Sequence, residues 1–339
     1  MKSGDVAGRK AIGGLVTANP FWIAPLAGIT VPAVRRFFVR QGAGLTHTEM
    51  VSCAGILHGN RKTCRMLRNG REGAPTVLQL FAGNAEILRR GAERALSDGY
   101  DFFEVFSINM ACPMPKVVKK GAGAALLKRK DIACDMVSEL KKLERPVWVK
   151  MRLLFEDGLQ DTLQFIESML YAGADHVTLH GRTPAQRYEG VSDIESVLRA
   201  AREFPGKISA SGDVFTPEKA MEYIAGGACA VLFARGLLRD AFIVERSIRF
   251  SSSGKEIDKN CLLQEEKFDK LLKLGKDLYL DEGEKTALVL LKRFLSSIFK
   301  GLPGASQFRR DVAQAFTWNE MMQVFRKWRS FPERSDFDV

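Results

Sequence analysis

The chain of 339 residues carries 51 Lys or Arg against 40 Asp or Glu, a net charge of +11, with 46% hydrophobic and 27% charged residues. That is the composition of a soluble globule with material for a full core, and the length fits one barrel of about 250 residues plus a smaller appendage. No run of about 18 apolar residues occurs and the first twenty residues lack the uninterrupted apolar segment of a secretory signal, which argues against a membrane span or export. The expectation is a cytoplasmic protein with an anionic partner and no membrane contact, whose six cysteines (Cys53, Cys64, Cys112, Cys134, Cys229, Cys261) are reduced thiols.

In chain order, residues 1–18 read as an N-terminal tail. Strand-like apolar runs follow at Phe21–Ala24, Leu45–Thr48, Thr76–Leu80, Phe102–Asn109, Val147–Met151, His176–Leu179, Ile208–Ala210 and Ala230–Phe233. Most are separated by segments of helical periodicity, such as Glu86–Leu96, Ile132–Leu143, Leu163–Tyr171 and Pro217–Ile224. Eight strands alternating with helices predict a (β/α)8 TIM barrel over residues 19–250. Polar and glycine residues cluster just after the strands, on the face where such barrels carry their chemistry.

Beyond Phe250 the pattern changes. Ser251-Ser252-Ser253-Gly254 reads as a linker, and the remainder of 251–339 as a helical domain without strands. Leu288, Leu291, Leu295 and Ile298 form one apolar helix face that Gly301 and Pro303 terminate. Charge divides sharply here. Lys255–Glu284 has six bases and nine acids, whereas Lys285–Arg334 has ten bases and three acids (Asp311, Glu320, Glu333). A basic module follows an acidic connector.

One thiol stands out. Cys112 ends the run Ser107-Ile108-Asn109-Met110-Ala111-Cys112-Pro113, ahead of a glycine cluster, where it reads either as a proton donor or nucleophile or as a buried structural Cys. Lys150 ends a strand, where a buried ammonium needs a reason: an anionic ligand or an ion pair with Glu49 or Asp101. His180 reads as a ligand-facing imidazole or a satisfied core histidine. Arg182 reads as a phosphate contact or an exposed ion pair. Gly212, Arg235 and Gly236 follow the last two strands, where barrels build phosphate sites from backbone N–H groups and a cation. Lys116, Lys119 and Lys120 read as contacts for an anionic partner or as a solvated loop. The Gly121-Ala122-Gly123 segment lacks the third glycine of a dinucleotide fingerprint, and Cys53, His58 and Cys64 match no common zinc spacing, so no metal is expected.

Taken in order, Ala24-Pro25-Leu26-Ala27-Gly28-Ile29-Thr30, Thr48-Glu49-Met50, Leu78-Gln79-Leu80-Phe81, Asn109-Met110-Ala111-Cys112-Pro113, Gly121–Leu127, Val149-Lys150-Met151-Arg152, His180-Gly181-Arg182-Thr183 and Gly212-Asp213 resemble the tRNA-dihydrouridine synthases. A weaker echo lies in Gly301-Leu302-Pro303-Gly304-Ala305. The resemblance implies an FMN-dependent barrel with a C-terminal helical RNA-binding domain, tRNA as substrate (ribosomal RNA as the alternative), and NADPH as reductant. It implies reduction of the 5,6 double bond of uridine, with hydride from flavin N5 to C6 and a proton from Cys112 to C5. It places the backbone of Pro25, Leu26 and Ala27, together with Gln79, Lys150 and His180, at the flavin ring, and Gly212, Asp213, Arg235 and Gly236 at its phosphate. Asn109, Arg182 and Lys116 would meet substrate. Ala111, Val31, Pro184, Ser211 and Ala234 depart from the family pattern and bear on loop geometry, the phosphate site and the choice of uridine. Two rivals are an FMN barrel acting on a small pyrimidine, as in dihydroorotate dehydrogenases, and an RNA-binding protein on an inactive barrel.

Overall fold

The computed structural model describes residues 9–68, 73–154, 158–254, 264–296 and 304–329. Its strands are β1 (Lys10–Ile12), β2 (Leu15–Thr17), β3 (Phe21–Ile23), β4 (Leu45–His47), β5 (Val51–Ser52), β6 (Thr76–Phe81), β7 (Val105–Met110), β8 (Val147–Arg152), β9 (His176–His180), β10 (Ile208–Ser211) and β11 (Ala230–Phe233). β3, β4 and β6 to β11 pair in parallel, and the β4–β6 and β3–β11 pairings close the ring, so eight strands form a TIM barrel. Strands such as β7 and β8 are buried at every residue, as expected where helices cover the outside and side chains fill the inside. The eight apolar runs of the sequence coincide with these eight strands to within a few residues.

β4 and β5 are two pieces of one strand along β6. Thr46 registers with Thr76 and Val51 with Leu80, and Thr48-Glu49-Met50 bulge between them. The break turns Glu49 toward the Pro25–Gly28 loop, where its carboxylate accepts from the Gly28 N–H.

The N-terminal tail is not merely a tail. β1 and β2 form an antiparallel hairpin around Gly13 and Gly14, both at positive φ, and it packs under the barrel floor. Gly13 accepts a 2.8 Å hydrogen bond from Trp148 Nε1, and a Cβ there would fall 2.6 Å from that nitrogen. Ile12 joins Trp22 and Trp148 in the lower core, where the two indoles stack 5.3 Å apart.

The helices are α1 (Pro32–Arg40), α2 (Cys53–Leu57), α3 (Arg61–Met66), α4 (Ala85–Ser97), α5 (Pro115–Val118), α6 (Lys130–Lys141), α7 (Leu159–Tyr171), α8 (Ile194–Glu203), α9 (Pro217–Ala225), α10 (Gly236–Arg239), α11 (Ile243–Ser253), α12 (Gln264–Glu282), α13 (Glu284–Leu295), α14 (Ala305–Gln314) and α15 (Trp318–Arg329). Side-chain caps start several of them: Asn84 accepts from the Ile87 N–H and Asp193 from the Ser196 N–H. The expected serine linker is instead the last turn of α11. Ser251 and Ser252 bond back to the Ile248 carbonyl, and Gly254, at φ 64, ends the helix. A linker further on would fall in 255–263, outside the described residues.

α12 to α15 form a helical layer on the barrel side. Leu288, Leu291 and Leu295 are buried as the apolar face predicted; Ile298 and Gly301–Pro303 lie outside the described residues. Phe294 meets Phe37 and Phe38 of α1 at 6.1 and 5.9 Å between ring centroids. The acidic stretch also has a place: Asp277 and Asp281 pair with Arg40 and Arg36, and Glu282 with Arg65.

Candidate active site

A cavity of about 350 Å³ opens at the C-terminal ends of the barrel strands. Pro25, Leu26 and Ala27 line it after β3, Gln79 on β6, Asn109 and Cys112 at the end of β7, Lys150 on β8, His180 on β9, Gly212 and Asp213 after β10, and Arg235 and Gly236 after β11. The size falls in the usual range for small-molecule and cofactor sites, about 300–1,000 Å³. Arg182 and Lys116 do not line it. Lys116 is exposed on α5, just beyond the Cys112 loop.

The Cys112 loop is held from both sides. Asn109 Oδ1 accepts from the N–H groups of Ala111 (3.3 Å) and Cys112 (3.0 Å), while its amide donates to Gln79 Oε1 (2.8 Å) and Met50 Sδ (3.1 Å). Its donors and acceptor therefore already have protein partners, and the geometry makes Asn109 a loop holder rather than a free hydrogen-bonding edge for substrate. From the other side, Arg152 Nε donates to the Ala111 carbonyl (2.8 Å) and Nη1 to the carbonyls of Thr183 (3.1 Å) and Arg187 (2.8 Å). Burial pushes the Cys112 thiol up from its ordinary value, against a Met114 backbone hydrogen bond and the charges of Arg152 and Lys150, so it is protonated near neutral pH.

Lys150 has no carboxylate partner among the described residues. Glu49 bonds to Gly28, and Asp101 pairs with Arg145, so neither forms the anticipated ion pair. Burial and the neighbouring Arg152 push the ammonium down to about 7. His180 is more extreme: desolvation and then the Lys150 charge hold it well below the ordinary imidazole value, so it is neutral. Its Nδ1 lies 3.4 Å from Ser211 Oγ, and its buried Nε2 has no hydrogen-bond partner among the described residues. An ammonium without an acid and an orphaned imidazole nitrogen in one cavity are groups that await a polar ligand.

Arg182 has a different place from the one anticipated. It is 1% exposed, and Nη1 and Nη2 grip Asp213 at 3.0 and 2.6 Å, while Nε and Nη2 donate to the carbonyls of Glu189 and Gly190. An arginine so enclosed does not contact RNA phosphate. Asp213, at φ 48, also accepts from Arg235 Nη2 (2.7 Å) and the Ser192 N–H (2.9 Å). Burial raises this carboxyl, but the Arg182 and Ser192 hydrogen bonds and the two arginine charges together hold it below the usual range. Asp213 thus anchors Arg235 at the cavity. Gly236 is required by space: a Cβ there would lie 2.2 Å from the Val214 carbonyl oxygen.

Sequence reasoning gave no role to Arg152, Met50, Tyr188 or Phe215, all of which line the cavity. Arg152 was detectable, since it shares the inward face with Lys150 two residues earlier. Tyr188 sits in an irregular loop and carries no periodic signal. Among the described residues, no cluster of three or more His, Cys, Asp or Glu is arranged to hold a metal, and no helix is long and apolar enough to cross a membrane.

Comparison with known proteins bears on what this cavity belongs to. The dihydrouridine synthase family model matches residues 22–331, from the first barrel strand to beyond α15. The chain belongs to the dihydrouridine synthase family. It is 28% identical over 333 residues to a probable tRNA-dihydrouridine synthase of Treponema pallidum, covering 93% of this chain and 95% of that one. A probable tRNA-dihydrouridine synthase 1 of Synechocystis is 30% identical over 306 residues (89% and 84%), and tRNA-dihydrouridine synthase B of Pseudomonas aeruginosa 27% over 300 residues (88% and 89%). The match spans the helical layer as well as the barrel, so the chain shares both parts with its relatives.

Proposed function

We propose that this chain reduces uridines in tRNA to dihydrouridine, with FMN in the barrel cavity and NADPH as the source of electrons. The observation that carries this is the conjunction in one cavity of a protonated thiol, Cys112, with the buried ammonium of Lys150 and the imidazole Nε2 of His180, the first without a carboxylate and the second without a hydrogen-bond partner among the described residues. When bound, FMN supplies the hydride that reaches C6 of the uracil ring. Cys112 supplies the proton to C5; its raised pKa keeps the proton on sulfur until C5 demands it. Lys150 balances negative charge on the flavin, and an anion in the cavity would raise its lowered pKa and favour the charged form. His180 Nε2 and the Gln79 amide offer hydrogen bonds to the ring edge, and Pro25 to Ala27 give it an apolar wall. Gly212, Gly236 and Arg235, the last held in place by Asp213, suit the phosphate.

The basic helices supply a reason for a polyanionic substrate. On this reading 19–250 is the FMN-binding barrel and 251–339 the RNA-binding part, with Lys116 on the RNA side of the mouth and the 10–17 hairpin belonging to the barrel floor. The target base leaves its stack to enter the cavity.

Mass spectrometry of tRNA from cells with and without the gene tests the reading directly. The expected result is loss of one dihydrouridine, and loss from ribosomal RNA alone would change the substrate. Cys112→Ala protein should bind flavin and oxidise NADPH as the parent does, while dihydrouridine formation falls by about 10²–10⁴-fold. An undiminished yield would remove Cys112 from the proton-donor role.

A further inference from the structure

A row of alternating cations and aromatic rings leaves the cavity along one side of its mouth. The Arg152 guanidinium carbon lies 5.7 Å from the Tyr188 ring centre, and that of Arg235 lies 5.2 Å from it. Arg235 is also 5.6 Å from the Phe215 ring, and Arg239 is 3.9 Å from it. Four of the five side chains line the cavity; Arg239, on the last turn of α10, does not, so the row runs from inside to outside. Tyr188 is 55% exposed, although its neighbours Arg152 and Arg182 are buried. The carboxylate nearest the row is Asp213, already shared by Arg182 and Arg235. Arg239 has no carboxylate partner among the described residues.

Each contact leaves something unused. A guanidinium stacked on a ring keeps its N–H edge available for phosphate, and a tyrosine ring that is 55% exposed keeps surface on which a base can stack. Exposed aromatic faces interleaved with arginines are the means by which single-stranded nucleic acid is held without reading its sequence: bases lie on rings and phosphates meet cations. The three arginines of the row outnumber the one carboxylate bonded to it, Asp213, and match a polyanion.

We propose that Tyr188 and Arg239 form a binding site for the RNA nucleotide next to the reacting uridine, its base stacked on Tyr188 and its phosphate on Arg239. This rests on the reading of the cavity as a uridine-reducing site, and adds to it the surface that keeps the strand open once the uridine has left its stack. Unstacking costs energy at the neighbour as well as at the target, and a ring at the rim recovers part of it.

The test uses the full-length holoprotein and an unmodified tRNA transcript, with affinity measured over a range of salt concentrations. Tyr188→Ala should weaken binding by about tenfold and Tyr188→Phe by much less, because stacking needs the ring and not the hydroxyl. Arg239→Ala should reduce the slope of log affinity against log salt by about one, with bound flavin unchanged. Parental affinity and slope in both alanine variants, with the parent active on RNA, would overturn the site while sparing the uridine-reducing reading. Loss of flavin from Arg239→Ala would assign that arginine to the cofactor phosphate and overturn its half of the proposal. A parent that neither binds nor reduces RNA would overturn both. Should Tyr188→Ala melt early, Arg239→Ala on its exposed helix end still decides.

Discussion

Arg152 ties two loops of the cavity together. Its hydrogen bonds reach the Ala111 carbonyl, next to the thiol, and two carbonyls of the 183–187 loop, which carries the chain on to Tyr188. Arg152→Lys keeps the charge but loses the fork, and a displacement of about 1 Å at a reacting group costs on the order of 10²-fold. Arg152→Lys should therefore lose dihydrouridine formation while retaining flavin. Arg152→Ala should in addition move the pH midpoint of Cys112 alkylation upward, since a cation that stabilises the thiolate is gone; a midpoint unchanged in site-resolved mass spectrometry would contradict this. Lys150 makes the second residue-level prediction. Its folded value of about 7 lies below the ordinary 10.5, so between these pH values the unfolded chain holds a proton that the folded chain has released. Stability of the cofactor-free protein thus rises as pH climbs from about 7 toward 10.5, and the buried charge is fully destabilising below that window. Lys150→Met should raise the urea midpoint below about pH 7 and flatten the slope above it. The role of Arg182 was not legible at this scale, because an arginine after a strand looks the same in sequence whether it faces phosphate or, as here, the carboxylate of Asp213 in the loop that follows the next strand.

At the level of elements, the acidic connector is explained by what α12 touches. Its carboxylates meet Arg36, Arg40 and Arg65 of the barrel, but these pairs are partly exposed, and such pairs contribute about 0–1 kcal/mol each. The aromatic contact of Phe294 with Phe37 and Phe38 is buried and carries more of the docking. Phe294→Ala should lower unfolding free energy by about 3–5 kcal/mol, and Asp277→Asn by less than about 1 kcal/mol, both measured by urea unfolding. Equal effects would reverse the assignment. The apolar face of α13 was readable from Leu288, Leu291 and Leu295 because helical periodicity survives in any context. The end of α11 was not, since serines that bond back to carbonyls one turn earlier have the composition of a linker.

For the whole molecule, the barrel was legible because each strand is buried on both faces and so appears as an apolar run. The hairpin beneath it was not: three-residue strands such as Lys10–Ile12 and Leu15–Thr17 bury too little to leave a pattern. That floor governs acid sensitivity. His47 and His176 are held neutral by burial, both down to about 3 from an ordinary 6.5, and His176 packs against Trp22 and Trp148. The unfolded chain takes up these protons first, so stability is retained above about pH 6.5 and lost progressively as pH falls from 6.5 toward 3. Urea midpoints across this range should fall in the parent and fall less steeply in His176→Phe.

The shared core of Phe37, Phe38 and Phe294 has one more consequence. Helices that bury their apolar side in the barrel wall cannot swing freely on a hinge, so the span from their basic surface to the thiol of Cys112 is set by packing. A rigid span of this kind acts as a ruler: on the proposed reading, the uridine that reacts is the one whose distance along the folded RNA matches it, and a change in the α1–α13 contact would shift the position modified before it abolished the reaction.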